Sequence, residues 1–187
     1  MKRSSRAIPP RRRAFIGCEG ESERSYVAWL RSVIDADNLN LHLDAVLLKP
    51  GAGDPLRLVQ LASDRMREHE RKRGACRWRA VLLDADRRDE VAGRRAEVDN
   101  LARKARLRLI WQEPNHEALL LRHLAGCETL RPPSTRVAEV LRRQWPEYGK
   151  GMSAARLAAR LGLDDLRRAL RVEAELAAFL AELGFNP

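Results

Sequence analysis

Four short apolar runs, each separated from the next by a longer stretch of helical spacing, occupy the first two-thirds of the chain, and this alternation restricts the fold more than any other feature. The first run, Ala14 to Cys18, stops at Glu19-Gly20 and reads as a buried strand. From Glu23 the residues Tyr26, Val27, Leu30, Val33 and Ile34 recur at helical spacing, with Ser22 placed as an N-cap. Leu41 to Leu48 is a second strand, halted by the Gly- and Pro-rich residues 49–54, and Pro55 opens a second helix running to about Arg71. Arg79 to Leu83 is a third strand that delivers Asp84-Ala85-Asp86 at its carboxyl end. A helix over about Glu90 to Lys104 then leads to a fourth strand, Leu107 to Trp111. Strands joined through helices need crossovers, and crossovers give a parallel sheet covered on both faces.

After Pro114 the pattern is helical throughout: His116 to Leu124, Thr135 to Trp145, Ser153 to Leu161 and Asp164 to Leu183, with breaks at residues 131–133 and 145–151. The expected organisation is a basic flexible tail (1–13), an α/β core (14–125) and a helical C-terminal extension packed on it (126–187). A chain of 187 residues is long enough for one domain with a sizeable core. Its composition, 44% hydrophobic and 33% charged, predicts folding, and a net charge of +10 calls for an anionic partner, nucleic acid first. The predominance of Arg over Lys is also what a GC-rich coding background produces.

No apolar stretch suited to a signal peptide follows the basic N-terminus, and no run approaches the roughly eighteen apolar residues needed to span a bilayer. The expectation is a cytoplasmic protein without a membrane partner. Cys18, Cys76 and Cys127 are odd in number, far apart and without a C-x-x-C, so neither a disulfide framework nor a zinc site is suggested, and they read as buried thiols.

In an open parallel sheet, functional groups collect beyond the carboxyl ends of the strands. Glu19 and the pair Asp84, Asp86 are placed there, and neighbouring first and third strands would bring three carboxylates together. Alternate residues of an extended chain share a side, so both aspartates are expected to face one ion. Such a cluster repels itself unless a cation fills it. Magnesium accepts one or two carboxylates and leaves its other positions to water and phosphate oxygens. Gly20 gives a phosphate room to approach. Each residue also has a plainer reading: Glu19 as a carboxylate at a helix start, the aspartates as a turn-forming pair, and Glu21 and Glu23 as ordinary first-turn acids. Glu117 and His116 are further candidates, His123 is expected to pack, and Lys150, Arg87 and Arg88 are candidate phosphate-binding residues. Arg11-Arg12-Arg13 reads as a solvated arm that raises non-specific affinity for polyanions.

Three segments resemble a known family. Phe15-Ile16-Gly17-Cys18-Glu19-Gly20-Glu21-Ser22-Glu23 and Val81-Leu82-Leu83-Asp84-Ala85-Asp86 are similar to the two signature segments of Toprim domains, and more narrowly to those of the RloB-like family of bacterial restriction and anti-phage loci. Glu113-Pro114-Asn115-His116-Glu117 is similar to that family's Asn-Pro-x-Phe-Glu segment, with Glu113 in place of Asn and His116 in place of Phe. Tyr148-Gly149-Lys150 resembles its Tyr-x-Lys region. The resemblance runs from Ala14 to Lys150. It implies a four-stranded parallel Toprim-like (Rossmann-like) sheet, a nuclease dependent on magnesium or manganese, a role in anti-phage defence, and room for a partner protein from the same locus. It carries Glu19, Asp84 and Asp86 over as catalytic and metal-binding residues. A binding module without catalysis is the alternative. A D-x-D phosphatase ranks lower, because its pair ends the first strand rather than the third.

Overall fold

The computed structural model describes residues 11–36, 39–48, 53–87 and 93–186. Its strands, β1 (Arg12–Cys18), β2 (Leu41–Leu47), β3 (Trp78–Asp84) and β4 (Arg108–Gln112), pair in parallel in the order β2-β1-β3-β4. The first and third strands are therefore neighbours, as a site shared between them requires. The helices are α1 (Glu21–Ala36), α2 (Pro55–Arg73), α3 (Arg95–Ala105), α4 (His116–His123), α5 (Ser134–Gln144), α6 (Ala154–Arg160), α7 (Leu163–Leu170) and α8 (Ala174–Leu183). This is the helix-flanked, all-parallel sheet expected of a Toprim-like, Rossmann-like core.

The strand period of two divides the core into two layers. Ala14, Ile16 and Cys18 of β1, Ala80 and Leu82 of β3 and Ile110 of β4 face one side, where Tyr26, Trp29 and Leu30 of α1 meet Leu119, Leu141, Leu157, Phe179 and Phe185 from the C-terminal half. Phe15, Val81 and Leu83 face the other side, against Leu58, Val59 and Ala62 of α2 and Val98 and Ala102 of α3. Each large apolar side chain taken fully out of water contributes about 1.5–3 kcal/mol. Gly17 lets α2 approach β1: a Cβ there would stand 3.3 Å from Leu48 Cδ1 and 3.4 Å from the Ala62 Cβ. Asp54 caps α2 by accepting from the Leu56 N–H at 3.1 Å, and Pro55 takes the first position, where no N–H is needed.

The structure departs from the sequence reading in five places. β1 begins at Arg12, so Arg12 and Arg13 belong to the sheet and not to a tail; Arg13 pairs with Asp44 of β2 at 2.8 Å, which neutralises its charge. Residues 1–10 lie outside the described residues. α1 starts at Glu21, two residues early, because Glu23 Oε2 reaches back to accept from the Gly20 N–H at 3.0 Å; Ser22 is not the cap and accepts instead from the Gly151 N–H at 3.0 Å. The third helix starts at Arg95, and residues 90–92 of its expected span lie outside the described residues. The last expected helix is two helices, broken at residues 171–173 where Glu173 turns inward to pair with the buried Arg122. Finally, Ala85–Arg87 form a 3-10 turn rather than continuing the strand, so Asp84 and Asp86 are not alternate residues of an extended chain.

Candidate functional site

The carboxyl ends of β1 and β3 meet α1 and α4, and each element brings an acid. Glu19 follows β1, Glu23 lies in the first turn of α1, Asp84 ends β3, Asp86 sits in the 3-10 turn and Glu117 lies in the first turn of α4. Asp84 is at their centre. Its Oδ1 accepts from the His116 N–H at 3.0 Å, so the carboxylate meets the positive end of α4. Burial, followed by the charges of Glu23, Glu19, Asp86 and Glu117, pushes its carboxyl up to about 8. The helix N-terminus is outweighed by burial and the neighbouring acids.

Asp86 is exposed and held outward: its N–H donates to the Pro114 carbonyl at 2.8 Å and its Oδ2 accepts from the Ser134 hydroxyl. Glu117 Oε1 accepts from the Tyr148 hydroxyl at 3.4 Å, and burial together with Glu117 raises the Tyr148 phenol, keeping it a donor. Tyr148 thus ties the loop between α5 and α6 to Glu117 on α4, and Gly151 ties it to Ser22 on α1. Lys150 is exposed in that loop, near enough to His116 for its charge to be felt there.

The expected residues separate on this geometry. Glu19, Asp84, Asp86 and Glu117 share one region, whereas Glu21 is exposed and pairs with Arg24 at 2.5 Å. The His116 ring is buried and meets Gln112 Nε2 through Nδ1 at 2.9 Å; burial lowers its pKa, leaving it neutral, and its main-chain N–H is what touches Asp84. His123 packs as expected, between the Tyr26 hydroxyl at 3.2 Å and the Leu119 carbonyl, with its pKa lowered to about 4 by burial. Arg87 closes the 3-10 turn, and Arg88 lies outside the described residues. Glu23 was discounted in the sequence as a first-turn acid, yet it is buried and is the acid felt most strongly by Asp84. The one signal for it is its spacing, a turn of helix after Glu19.

The five acids offer only oxygen donors, which suits a hard divalent cation, and the raised carboxyl of Asp84 marks a place where such a charge would be stabilised. They do not close to chelating distance. Among the described residues, the one trio whose ligand atoms lie within 4.8 Å of one another is Asp44, His69 and Cys76, on β2, α2 and the loop before β3. That Asp/His/Cys cluster could hold a metal ion, and the sequence reading missed it. Asp86 lies in the 3-10 turn with its Oδ2 engaged by the Ser134 hydroxyl, and Glu19, Asp84 and Asp86 form no such trio.

Residues 14–182 match the family model described as RloB-like protein. No curated protein and no solved structure matches the chain.

Proposed function

The chain belongs to the RloB-like protein family, and from that premise we propose that it is a magnesium- or manganese-dependent nuclease of the Toprim type that cleaves phosphodiester bonds of DNA or RNA in anti-phage defence. The observation that carries this reading is the crowding of Glu19, Glu23, Asp86 and Glu117 around a half-buried Asp84 whose carboxyl rises to about 8, in a chain of net charge +10. A basic protein that concentrates acids at one end of its sheet is arranged for a cation there and a polyanion around it. Glu19 and Asp84 would hold the ion, with Asp86, Glu23 and Glu117 reaching it directly or through water. A bound divalent ion lowers the pKa of water and offsets charge on a phosphoryl oxygen.

The chain's own residues then have separate tasks. Glu19 accepts a proton as general base. The His116 N–H fixes the Asp84 carboxylate, Ser134 fixes Asp86, and Tyr148 fixes Glu117. In this proposal Lys150 holds a backbone phosphate as a point charge, and Arg87 and Arg88 are assigned to clamp a backbone phosphate.

Single-turnover cleavage of DNA and RNA at saturating magnesium tests the proposal. Glu19→Gln and Asp84→Asn should each lose at least about 10²-fold in rate, the lower end of what general acid–base catalysis contributes, while Glu21→Gln stays near wild type. Retention of more than about a tenth of the rate by both variants would remove these residues from the chemistry. A second reading is favoured by the absence of a carboxylate trio within 4.8 Å among the described residues: a nucleic-acid-binding module that does not cleave. Salt-dependent binding with no product, under magnesium or manganese, would select it.

A further inference from the structure

We propose that Asp44, His69 and Cys76, with His42 as the fourth donor, form a zinc-binding site at the opposite end of the sheet from the acidic cluster, in which Arg13 is the resident cation that zinc displaces. The three side chains come from β2, α2 and the loop before β3, and their ligand atoms lie within 4.8 Å of one another. Asp44 and Cys76 are buried, and His69 keeps 14% of its side-chain exposure. Asp44 Oδ2 stands 3.3 Å from His69 Nε2, and Asp44 Oδ1 stands 3.5 Å from His42 Nε2. Both separations are long for a hydrogen bond. The Oδ2–His69 separation matches the edge of a tetrahedron built with zinc bonds of about 2.0–2.2 Å, roughly 3.3–3.6 Å, and His42 stands at the other oxygen of the same carboxylate.

The donor set is one carboxylate, two imidazoles and one thiolate, the mixture that borderline-soft zinc takes and magnesium does not. Cys76 is already held in place: its N–H donates to Glu70 Oε1 at 2.9 Å, and Arg79 donates to the same oxygen. A cavity of about 590 Å³, lined by His42, Asp44, His69, Arg31 and Arg73 among others, gives an ion a path in.

Arg13 shows where a cation sits. Its Nη2 lies 2.8 Å from both Asp44 Oδ2 and His69 Nε2, at the point where those lone pairs converge, and its Nη1 donates to the Arg73 carbonyl. The guanidinium supplies one positive charge and, among the described residues, makes no hydrogen bond to the Cys76 thiol. Zinc supplies two charges and engages all four donors, the thiol giving up its proton to solvent. With 18% side-chain exposure, Arg13 is close enough to the surface to swing out. A bound ion would staple the edge strand β2 to the end of α2 and the start of β3.

Cobalt(II), a spectroscopic substitute for zinc, tests this on the full chain. Titration of wild type should give one equivalent of four-coordinate visible bands with a near-ultraviolet thiolate-to-cobalt band, reversed by zinc. Cys76→Ser should lose the thiolate band, whereas Cys127→Ser keeps it. His69→Gln should weaken cobalt binding at least about tenfold, since even changes to residues that only orient ligands cost 10–100-fold. Arg13→Met should bind at least as tightly as wild type, because it removes the competing cation. Glu19→Gln should leave every one of these signals intact, which separates this site from the acidic cluster and from the fate of the nuclease proposal. For any variant of doubtful folding, zinc should raise the melting temperature of wild type and not that of Cys76→Ser. Absence of the thiolate band from wild type, its persistence in Cys76→Ser, or weaker binding by Arg13→Met would each overturn the proposal.

Discussion

Replacing Asp84 by Asn should stabilise the metal-free protein, and the gain should depend on pH in a defined way. Asn keeps an oxygen to accept the His116 N–H that Asp84 Oδ1 now accepts at 3.0 Å, so the change removes charge without removing the hydrogen bond. In the folded chain the Asp84 carboxyl titrates at about 8, while in the unfolded chain it titrates near the ordinary 3.8. Between those values the folded state holds a proton that the unfolded state has released, so wild-type stability falls as pH rises through this window. Each pKa unit is worth about 1.4 kcal/mol, so a shift of roughly four units sets a ceiling of about 6 kcal/mol, reduced by relaxation and screening. Relative to wild type, Asp84→Asn should gain little near pH 4, progressively more to pH 8, and nothing further above it. In a chain of this size each kcal/mol moves the melting temperature by about 2–4 °C, so even a gain of about 2 kcal/mol is measurable. Urea melts of both proteins in EDTA at pH 4.5, 6.5 and 8.5 provide the assay, and magnesium should narrow the gap by stabilising wild type alone. A gap that stays flat with pH, or a variant less stable than wild type at pH 8.5, would refute the picture of an Asp84 carboxyl held up by burial and neighbouring acids.

Arg122→Met should cost about 3–5 kcal/mol, because it leaves the buried Glu173 without its partner; Arg122→Met combined with Glu173→Gln should recover part of that loss in urea melts. Gly17→Val should destabilise by at least about 1–3 kcal/mol, since a Cβ there already meets Leu48 at 3.3 Å and branching adds atoms between β1 and α2. Affinity for duplex DNA should fall with salt at a log–log slope of about 0.9 per phosphate contacted, and Lys150→Gln should make that slope shallower by about one contact.

The sheet was legible because its information is local. Ala14 to Cys18 and Arg79 to Leu83 are apolar runs bounded by acids, and their adjacency follows from the common order of such sheets. Glu19 and Asp84 were found for the same reason: each ends a strand. What escaped depends on partners distant in the chain. Arg13 reads as tail until Asp44, thirty-one residues later, supplies its counter-charge. The break before α8 is set by Arg122, fifty-one residues from Glu173. Glu23 looks like any helix-start acid until β3 places Asp84 beside it. The bend at Ala85 is fixed by the Pro114 carbonyl and Ser134, so no periodicity in the D-x-D segment announces it. Asp44, His69 and Cys76 share no spacing and meet only through the parallel pairing of β2, β1 and β3.

The two layers of the core are finished at different times during synthesis. The layer under α2 and α3 draws its buried members from Phe15 to Leu107, and Trp111 completes its packing, so it can close once β4 has left the ribosome. The layer over α1 needs Leu141, Leu157, Phe179 and finally Phe185, which is 1% exposed and buried with Ile16 and Leu82. At about 5–20 residues per second, the seventy-odd residues between Trp111 and Phe185 take several seconds to make. Throughout that interval the nascent chain carries one sealed side and one bare apolar side. Chaperone engagement on the ribosome should therefore be concentrated on the α1 side and end when the last helix docks.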